Sequence, residues 1–590
     1  MTDRWLNYVL GVVVVVGLIA ATLHERPRLA EERAELLDQE VVTGGELEDA
    51  PEDRDPVELR LRDQQEGEEL AAPEAGDDPD EADEEADDEP ALGAYGVTSS
   101  HPEAVQVGMD VLEAGGNATD AAVAVAYALG VVEPFGSGPG GGGSLVLHPS
   151  GGEPVAYDYR ETVPASGETP ASDIGVPGFV AGMEHVHREH GSIELPDLIE
   201  PAARLAEDGI EVSDYLNDRL RAAAARLPIH LAPRFFPDGA AIGVGETLRQ
   251  PEYAEALRAI QEGGAEVMHG GELGQEVAET VSGIELSDLE DYEVMEVEPA
   301  IGSFRDHDVI GGGAPTSGPT VVQILQIAEA LGVRDMEPGS ADAHHAIAQA
   351  WRLALNDRTE LIGDPSVEDI PLPEIIERDH TDQLAELVPD DAFAPVEDGE
   401  PAISPETDTT HIVVVDRDGT MVSMTNTLSN FFGSGLPVSG FFMNDQLKNF
   451  APDPESVNHP APNKRPRSFI APMILARDGD PVMGIGSPGG RRIPMMTAQV
   501  LINYASHGQD LETSVAEPRF HLEGQLMQTE EQLPDEVVSD LNGRGYEVTT
   551  EIPVTEYYGG MQALQIDHDA GEVDGIADER RPGDWAAGQD

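Results

Sequence analysis

Residues His411 to Met424 constrain the fold of this chain more than any other stretch. An apolar run, Ile412-Val413-Val414-Val415, leads into Asp416-Arg417-Asp418-Gly419 and then into a second strand-forming run. Asp and Gly cluster where a chain reverses, and β-branched residues favour extended backbone, so the segment reads as a β-hairpin. If the turn centres on Arg417 and Asp418 with a bulge at Gly419, Thr409 at the start of one strand faces Thr427 at the end of the other. Two hydroxyls then meet at one end of the hairpin. A threonine hydroxyl attacks a carbonyl only when a base takes its proton, and a cut before Thr409 would supply that base as the new α-amine.

Without a second element, Thr409 and Thr410 would simply begin a strand. That element is Gly486-Ser487-Pro488-Gly489-Gly490-Arg491-Arg492, where adjacent glycines let backbone N–H groups approach a ligand and point at a developing oxyanion. Periodicity predicts helices over Thr119 to Val132, Ala341 to Asn356 and Met495 to His507, and a further strand over Met561 to Ile566. No internal repeat is evident.

These motifs resemble the γ-glutamyltransferase (glutathione hydrolase) family over nearly everything after Gly96. The residues that carry the resemblance are Gly116-Asn117-Ala118 with Asp120 to Val125, Gly140 to Gly143, Asp158-Tyr159-Arg160-Glu161, Pro177-Gly178 and Gly363-Asp364-Pro365. Further on come Thr409-Thr410-His411, Phe432-Gly433-Ser434-Gly435, Asn463-Lys464-Arg465-Pro466 and Gly486 to Gly490. The resemblance implies an α+β fold, the αββα four-layer sandwich of the N-terminal-nucleophile hydrolases. It also implies a precursor that cleaves itself between Asp408 and Thr409 into a large-subunit region, 94–408, and a small one, 409–590. The implied chemistry is cleavage of γ-glutamyl amides through a γ-glutamyl-threonine acyl-enzyme. The donor would be glutathione-like or poly-γ-glutamate, the acceptor water, an amino acid or a peptide, and no cofactor or metal would be needed.

Carried over residue by residue, Thr409 is the nucleophile of both self-cleavage and turnover, and Thr427 orients it. Gly489 and Gly490 form the oxyanion hole. Arg160 pairs with the donor's α-carboxylate, assisted by Ser468, and Gln446 contacts its amino group. Three positions depart from the family pattern. Asn449 stands where an aspartate holds the donor's ammonium, Phe469 where a second serine follows Ser468, and Ser429 where an asparagine or acid is usual. Loss of a buried carboxylate partner weakens ammonium binding by a few kcal/mol. The alternatives are therefore a glutaryl-type or other amide acylase of the same fold, or a membrane-tethered surface protein that has lost catalysis.

Charge gives an independent reading. The 115 Asp and Glu residues against 33 Lys and Arg leave a formal net charge of −82, and Lys448 and Lys464 are the only lysines. Such a surface repels itself unless concentrated salt shortens the screening length to about 3 Å at 1 M, which reads as adaptation to high salt. The same sign excludes nucleic acid as a partner. With no cysteine in the chain, disulfides and thiolate chemistry are excluded as well.

Trp5 to Leu23 is an uncharged stretch long enough to cross a bilayer, read as an anchor over residues 1–30 in preference to a cleaved signal peptide. Residues 31–93 are acidic and poor in aromatics, a disordered tether with too little apolar surface to fold alone. Arg26, Arg28 and Arg33 after the helix, against Arg4 before it, place the catalytic part in the cytoplasm by the positive-inside rule. The resemblance implies the opposite, and the expectation adopted is a cell-membrane protein with its catalytic part extracellular. Elsewhere, His187 and His190 share a helical face but lack a third ligand, so a solvated face is expected rather than a metal site.

Overall fold

The computed structural model describes residues 92–396, 407–551 and 555–589. The predicted anchor and nearly all of the acidic tether lie outside them. Among the described residues no helix is long and apolar enough to cross a membrane.

Two antiparallel sheets dominate. The first has the strand order Asp584–Gln589, Ala94–Ser99, Thr407–Val415, Met421–Asn430, Gly142–His148, Val155–Asp158 and Met295–Val297. The second runs Glu572–Ala577, Gln562–Asp567, Asp480–Gly486, Met473–Arg477, His307–Gly311 and Ala300–Phe304. Chain order is scrambled across both, so the sheets interleave the regions before and after Thr409.

Side-chain alternation along the central strand shows how the layers stack. Ile412 and Val414 pack with the helices Ala118–Val132, Phe179–His190 and Leu195–Asp208. Val413 and Val415 point the other way, into a thin apolar layer with Ile474, Ala476, Leu564 and Ile566 of the second sheet. The far face of that sheet, with Met473, Leu475, Met483 and Ile485, meets the helices Gly318–Ala330, Ala341–Leu361 and Ile493–Leu501. The result is helix, sheet, sheet, helix. Each fully buried Val, Leu or Ile in these layers contributes about 1.5–3 kcal/mol of transfer free energy.

The helix Ala118–Val132 is buried along its whole length, as its Ala and Val content on every face requires. Asn117 and Asp120 cap it reciprocally, and Asp416 of the hairpin turn accepts the Ala118 N–H at 2.9 Å. The same carboxylate accepts the N–H groups of Asp418 and Thr420, so one side chain shapes the turn and ties it to the helix. The hairpin register is as the sequence predicts, with Val415 opposite Met421, Asn426 opposite Thr410 and Gly419 at φ 83° in the turn. The predicted helix ending at Asn356 continues to Leu361. The predicted helix over Met495 to His507 starts two residues earlier, with Pro494 in its first turn, and passes into a π-helical turn over Ile502–Ser506.

Candidate active site

Thr409 belongs to the side-chain set that looks into the space between the sheets, together with His411 and Val413. Opposite it, the second sheet comes unusually close. A Cβ on Gly484 would stand 2.5 Å from Val413 Cγ1, and one on Gly486 would stand 2.2 Å from the His411 ring. Glycine at both positions is what lets the sheets touch. Continuing both strands by two residues places Pro488, and with it the Gly489-Gly490 turn, against Thr409.

Pairing between the hairpin strands is regular up to Asn426 and Thr410, then shifts before Ser429 pairs with Asp408. In this bulge Leu428 donates its N–H to Gly136 O at 3.0 Å, and Ser429 adopts φ 82° and donates its N–H to Thr427 Oγ1 at 2.9 Å. The Oγ1 atoms of Thr409 and Thr427 are 3.4 Å apart, both buried. Thr427 Oγ1 accepts the Ser429 N–H and lies within hydrogen-bond reach of Thr409 Oγ1, with either hydroxyl able to donate to the other. Below the pair, Thr410 Oγ1 donates to Ser137 Oγ at 2.9 Å, and His411 Nδ1 lies 2.9 Å from Thr425 Oγ1. Burial pushes the His411 pKa down to about 3, so this imidazole stays neutral.

Gly489 (φ 141°) and Gly490 (φ 58°) adopt backbone that side-chain-bearing residues rarely hold. From Gly490 the chain enters a helical segment, Gly490–Arg492 followed by Ile493–Leu501. First-turn amides have no partner within a helix, and they lie at the positive end of its dipole. Gly490, Arg491 and Ile493 line one cavity together with Thr409, Thr427, Ser429, Gln446, Asn449, Ser468, Phe469 and Ile470. The Thr409 hydroxyl thus shares one pocket with a helix start whose first amides point outward as donors, an arrangement that could support acyl transfer through an oxyanion.

The sequence pattern of the family described as Gamma-glutamyltranspeptidase matches residues 104–588. The chain belongs to that family. It is 39% identical over 494 residues to the capsule biosynthesis protein CapD proenzyme of Bacillus anthracis, covering 84% of this chain and 90% of that protein. To the glutathione hydrolase proenzyme of Bacillus subtilis (strain 168) it is 31% identical over 535 residues, covering 82% and 90%. Among solved structures, the cephalosporin acylase from Bacillus halodurans superposes with a TM-score of 0.76 at 25% identity, covering 87% of this chain and 99% of that one. The helix, sheet, sheet, helix stack is accordingly the N-terminal-nucleophile hydrolase fold of the gamma-glutamyltranspeptidases.

Of the residues that the sequence nominated, seven line the cavity: Thr409, Thr427, Ser429, Gln446, Asn449, Ser468 and Gly490. Gly489 adjoins it. Arg160 is not brought there. Its side chain is completely buried, holds Asp158 through two bonds of 2.6 and 3.1 Å, and donates to Pro466 O at 2.7 Å. The bidentate carboxylate expected from a donor is supplied by the chain itself, two residues upstream. Gln446, which lines the cavity, is buried with its Nε2 unpartnered. Arg491, Ile470 and Ile493 were not singled out by sequence, although Arg491 directly follows the glycine pair. The His187 and His190 face is only partly solvated: His187 is buried with Nε2 at 2.6 Å from Ile193 O, and the half-buried His190 has Nε2 2.8 Å from Tyr157 OH.

Next to Arg160, the Glu161 carboxyl is fully buried with neither oxygen hydrogen-bonded, and burial pushes its pKa up from 4.5 to about 8. The folded protein therefore holds a proton between those values that the unfolded chain releases. Stability from this group is complete below pH 4.5 and is lost as pH rises toward 8, at about 1.4 kcal/mol per pH unit. Glu161→Gln should flatten that decline. Melting curves from pH 5 to 9 are the check; a variant that follows the wild-type slope throughout would leave Glu161 without this role.

Proposed function

We propose that this chain is a self-processing γ-glutamyltransferase and hydrolase. In this reading Thr409 attacks the γ-carbonyl of the donor and passes the acyl group to water or to the amine of an amino acid or peptide. The observation that carries it is the Thr409 and Thr427 hydroxyl pair, 3.4 Å apart, in the cavity that Gly490 and its helix start also line. After scission before Thr409, the new α-amine is the base for its own hydroxyl. Thr427 holds the nucleophile, and the amides at Gly489 and Gly490 receive the oxyanion. Gln446, Asn449 and Ser468 would bind the donor's amino and carboxylate groups. We further propose that the catalytic part is tethered outside the cell membrane and works in concentrated salt, on the strength of Trp5 to Leu23 and the net charge of −82.

A second reading follows from the lining itself. Among the described residues no carboxylate side chain lines the cavity, Asn449 standing where the family resemblance places an aspartate, and Phe469 adds an apolar face. Both features suit an acylase for a donor without an amino group, and the Bacillus halodurans protein is named a cephalosporin acylase. Hydrolysis of γ-glutamyl and glutaryl anilides, compared in about 3 M KCl where charge is screened, separates the two. The expected result is a kcat/KM at least roughly tenfold higher for the γ-glutamyl compound, the size of one good polar contact. A preference for the glutaryl compound would establish the acylase instead.

A further inference from the structure

A second groove adjoins the catalytic cavity at Asn449, which lines both. Its volume of about 520 Å³ is in the range of small-molecule sites. The chain after Asn449 folds back at once, which leaves the groove open beside that residue. Ala451 donates its N–H to Asn458 O at 2.9 Å, and the buried Asn458 side chain donates to Asn449 O at 2.8 Å and accepts the Arg467 N–H at 2.8 Å. These bonds hold the backbone at Asn449, whose own side-chain amide makes no hydrogen bond among the described residues. Gln446 is three residues earlier on the same short 3₁₀ segment, Gln446–Asn449, a spacing that aligns the two side chains on one face. It is 1% exposed, and its Nε2 has no partner.

A free α-ammonium group has only hydrogens to donate, so it leaves the Gln446 Nε2 donor unsatisfied and meets no carboxylate among the described lining residues. An acylated α-nitrogen differs in both respects. Its single N–H can be accepted by Asn449 Oδ1, and its carbonyl oxygen can accept from Gln446 Nε2. We infer that the donor taken by this site is a γ-glutamyl compound whose α-amine is acylated, with the acyl substituent in the groove beyond Asn449; this rests on the γ-glutamyl reading. Charge narrows the substituent further. Glu360, Asp453 and Glu455 line the groove, while the Lys448 ammonium that also lines it is 3.1 Å from Asp445 Oδ2. A neutral or cationic substituent is therefore favoured over an anionic one. Chemistry at Thr409 is unchanged. The γ-carbonyl carbon exchanges its amide nitrogen for the threonine oxygen, the leaving amine takes the hydroxyl proton by way of the Thr409 α-amine, and the α-amide stays whole.

Hydrolysis of γ-glutamyl, N-acetyl-γ-glutamyl and N-succinyl-γ-glutamyl anilides in concentrated KCl tests this. The wild type should cleave the acetyl compound with a kcat/KM roughly tenfold above that of the free amine. The succinyl compound should fall below the acetyl one, by a margin that widens as salt is lowered. Asn449→Asp should reverse the first preference, because a carboxylate holds an ammonium more strongly than an amide N–H. A free amine cleaved as well as the acetyl compound by the wild type, or a ratio that Asn449→Asp leaves unmoved, would overturn the inference, and a preference for the succinyl compound would overturn the charge assignment. Should Asn449→Asp fail to fold, the wild-type comparison alone decides. A wild type that cleaves glutaryl anilide and none of these three would refute the γ-glutamyl function. Calorimetric binding of N-acetylglutamate against glutamate then decides the acyl site separately: tighter N-acetylglutamate upholds it, and equal or weaker binding overturns it.

Discussion

Replacing Thr409 by Ala should leave the chain as one piece of 62.8 kDa and abolish turnover. In the wild type, the segment that separates on a denaturing gel should be the 182 residues from Thr409 to Asp590. The variant loses the hydroxyl that opens the Asp408 to Thr409 bond and, with it, the α-amine that would serve as base. One substitution therefore removes both steps. Residues that act as a unit show losses on the order of 10⁴ to 10⁶ in kcat when the nucleophile goes. Stability should change little. Thr409 is at the edge of a cavity, and the buried layer beneath it rests on Ile412 to Val415. Gel electrophoresis, N-terminal sequencing and an anilide assay in saline buffer read all three effects. A cut chain, or undiminished hydrolysis, would remove Thr409 from the mechanism.

The second large effect is expected at Gly489. A Cβ there would meet only Ile493 Cγ1, at 3.7 Å, so alanine fits in space. What it cannot do is hold φ 141° and ψ 5°, a conformation that a side chain strongly disfavours. Gly489→Ala should therefore relax the turn, swing the amides away from the reacting carbonyl, and reduce kcat by roughly 10²- to 10³-fold. KM should move far less, since the ground-state carbonyl makes a weaker demand on those amides than the oxyanion does. Self-cleavage, which passes through the same kind of intermediate, should slow in parallel. A drop in KM alone, or an unaltered kcat with a normally folded protein, would place the oxyanion elsewhere.

Much of the site was legible because it is local. The five residues Asp416 to Thr420 between the paired Val415 and Met421 set the register of the hairpin, and that register runs Thr409 out toward Thr427. The glycine pair at 489 and 490 is readable for a similar reason: only glycine tolerates such backbone. Even so, the bulge that sends Ser429 to φ 82° and turns its N–H onto Thr427 could not be foreseen. It depends on Leu428 finding Gly136, which is remote in sequence. Helix ends were similarly hidden. The polar run from Asn356 to Glu360 reads as an ending, but packing against Phe469 and Ser317 gives Arg358 a reason to remain helical.

Sequence by itself determined the threonine pair, the hairpin register, the glycine turn at 489 and 490 and the net charge of −82, since each follows from spacing, backbone permissiveness or summed charge. Tertiary structure alone decided what holds each buried arginine. A guanidinium's role is set by what lies within about 4 Å of it, whether that neighbour is local or drawn from a distant part of the chain. Asp158 claims Arg160, and Pro466 O, 306 residues on, fixes the same guanidinium in place, while Arg358 is held by Ser317 and the Phe469 ring.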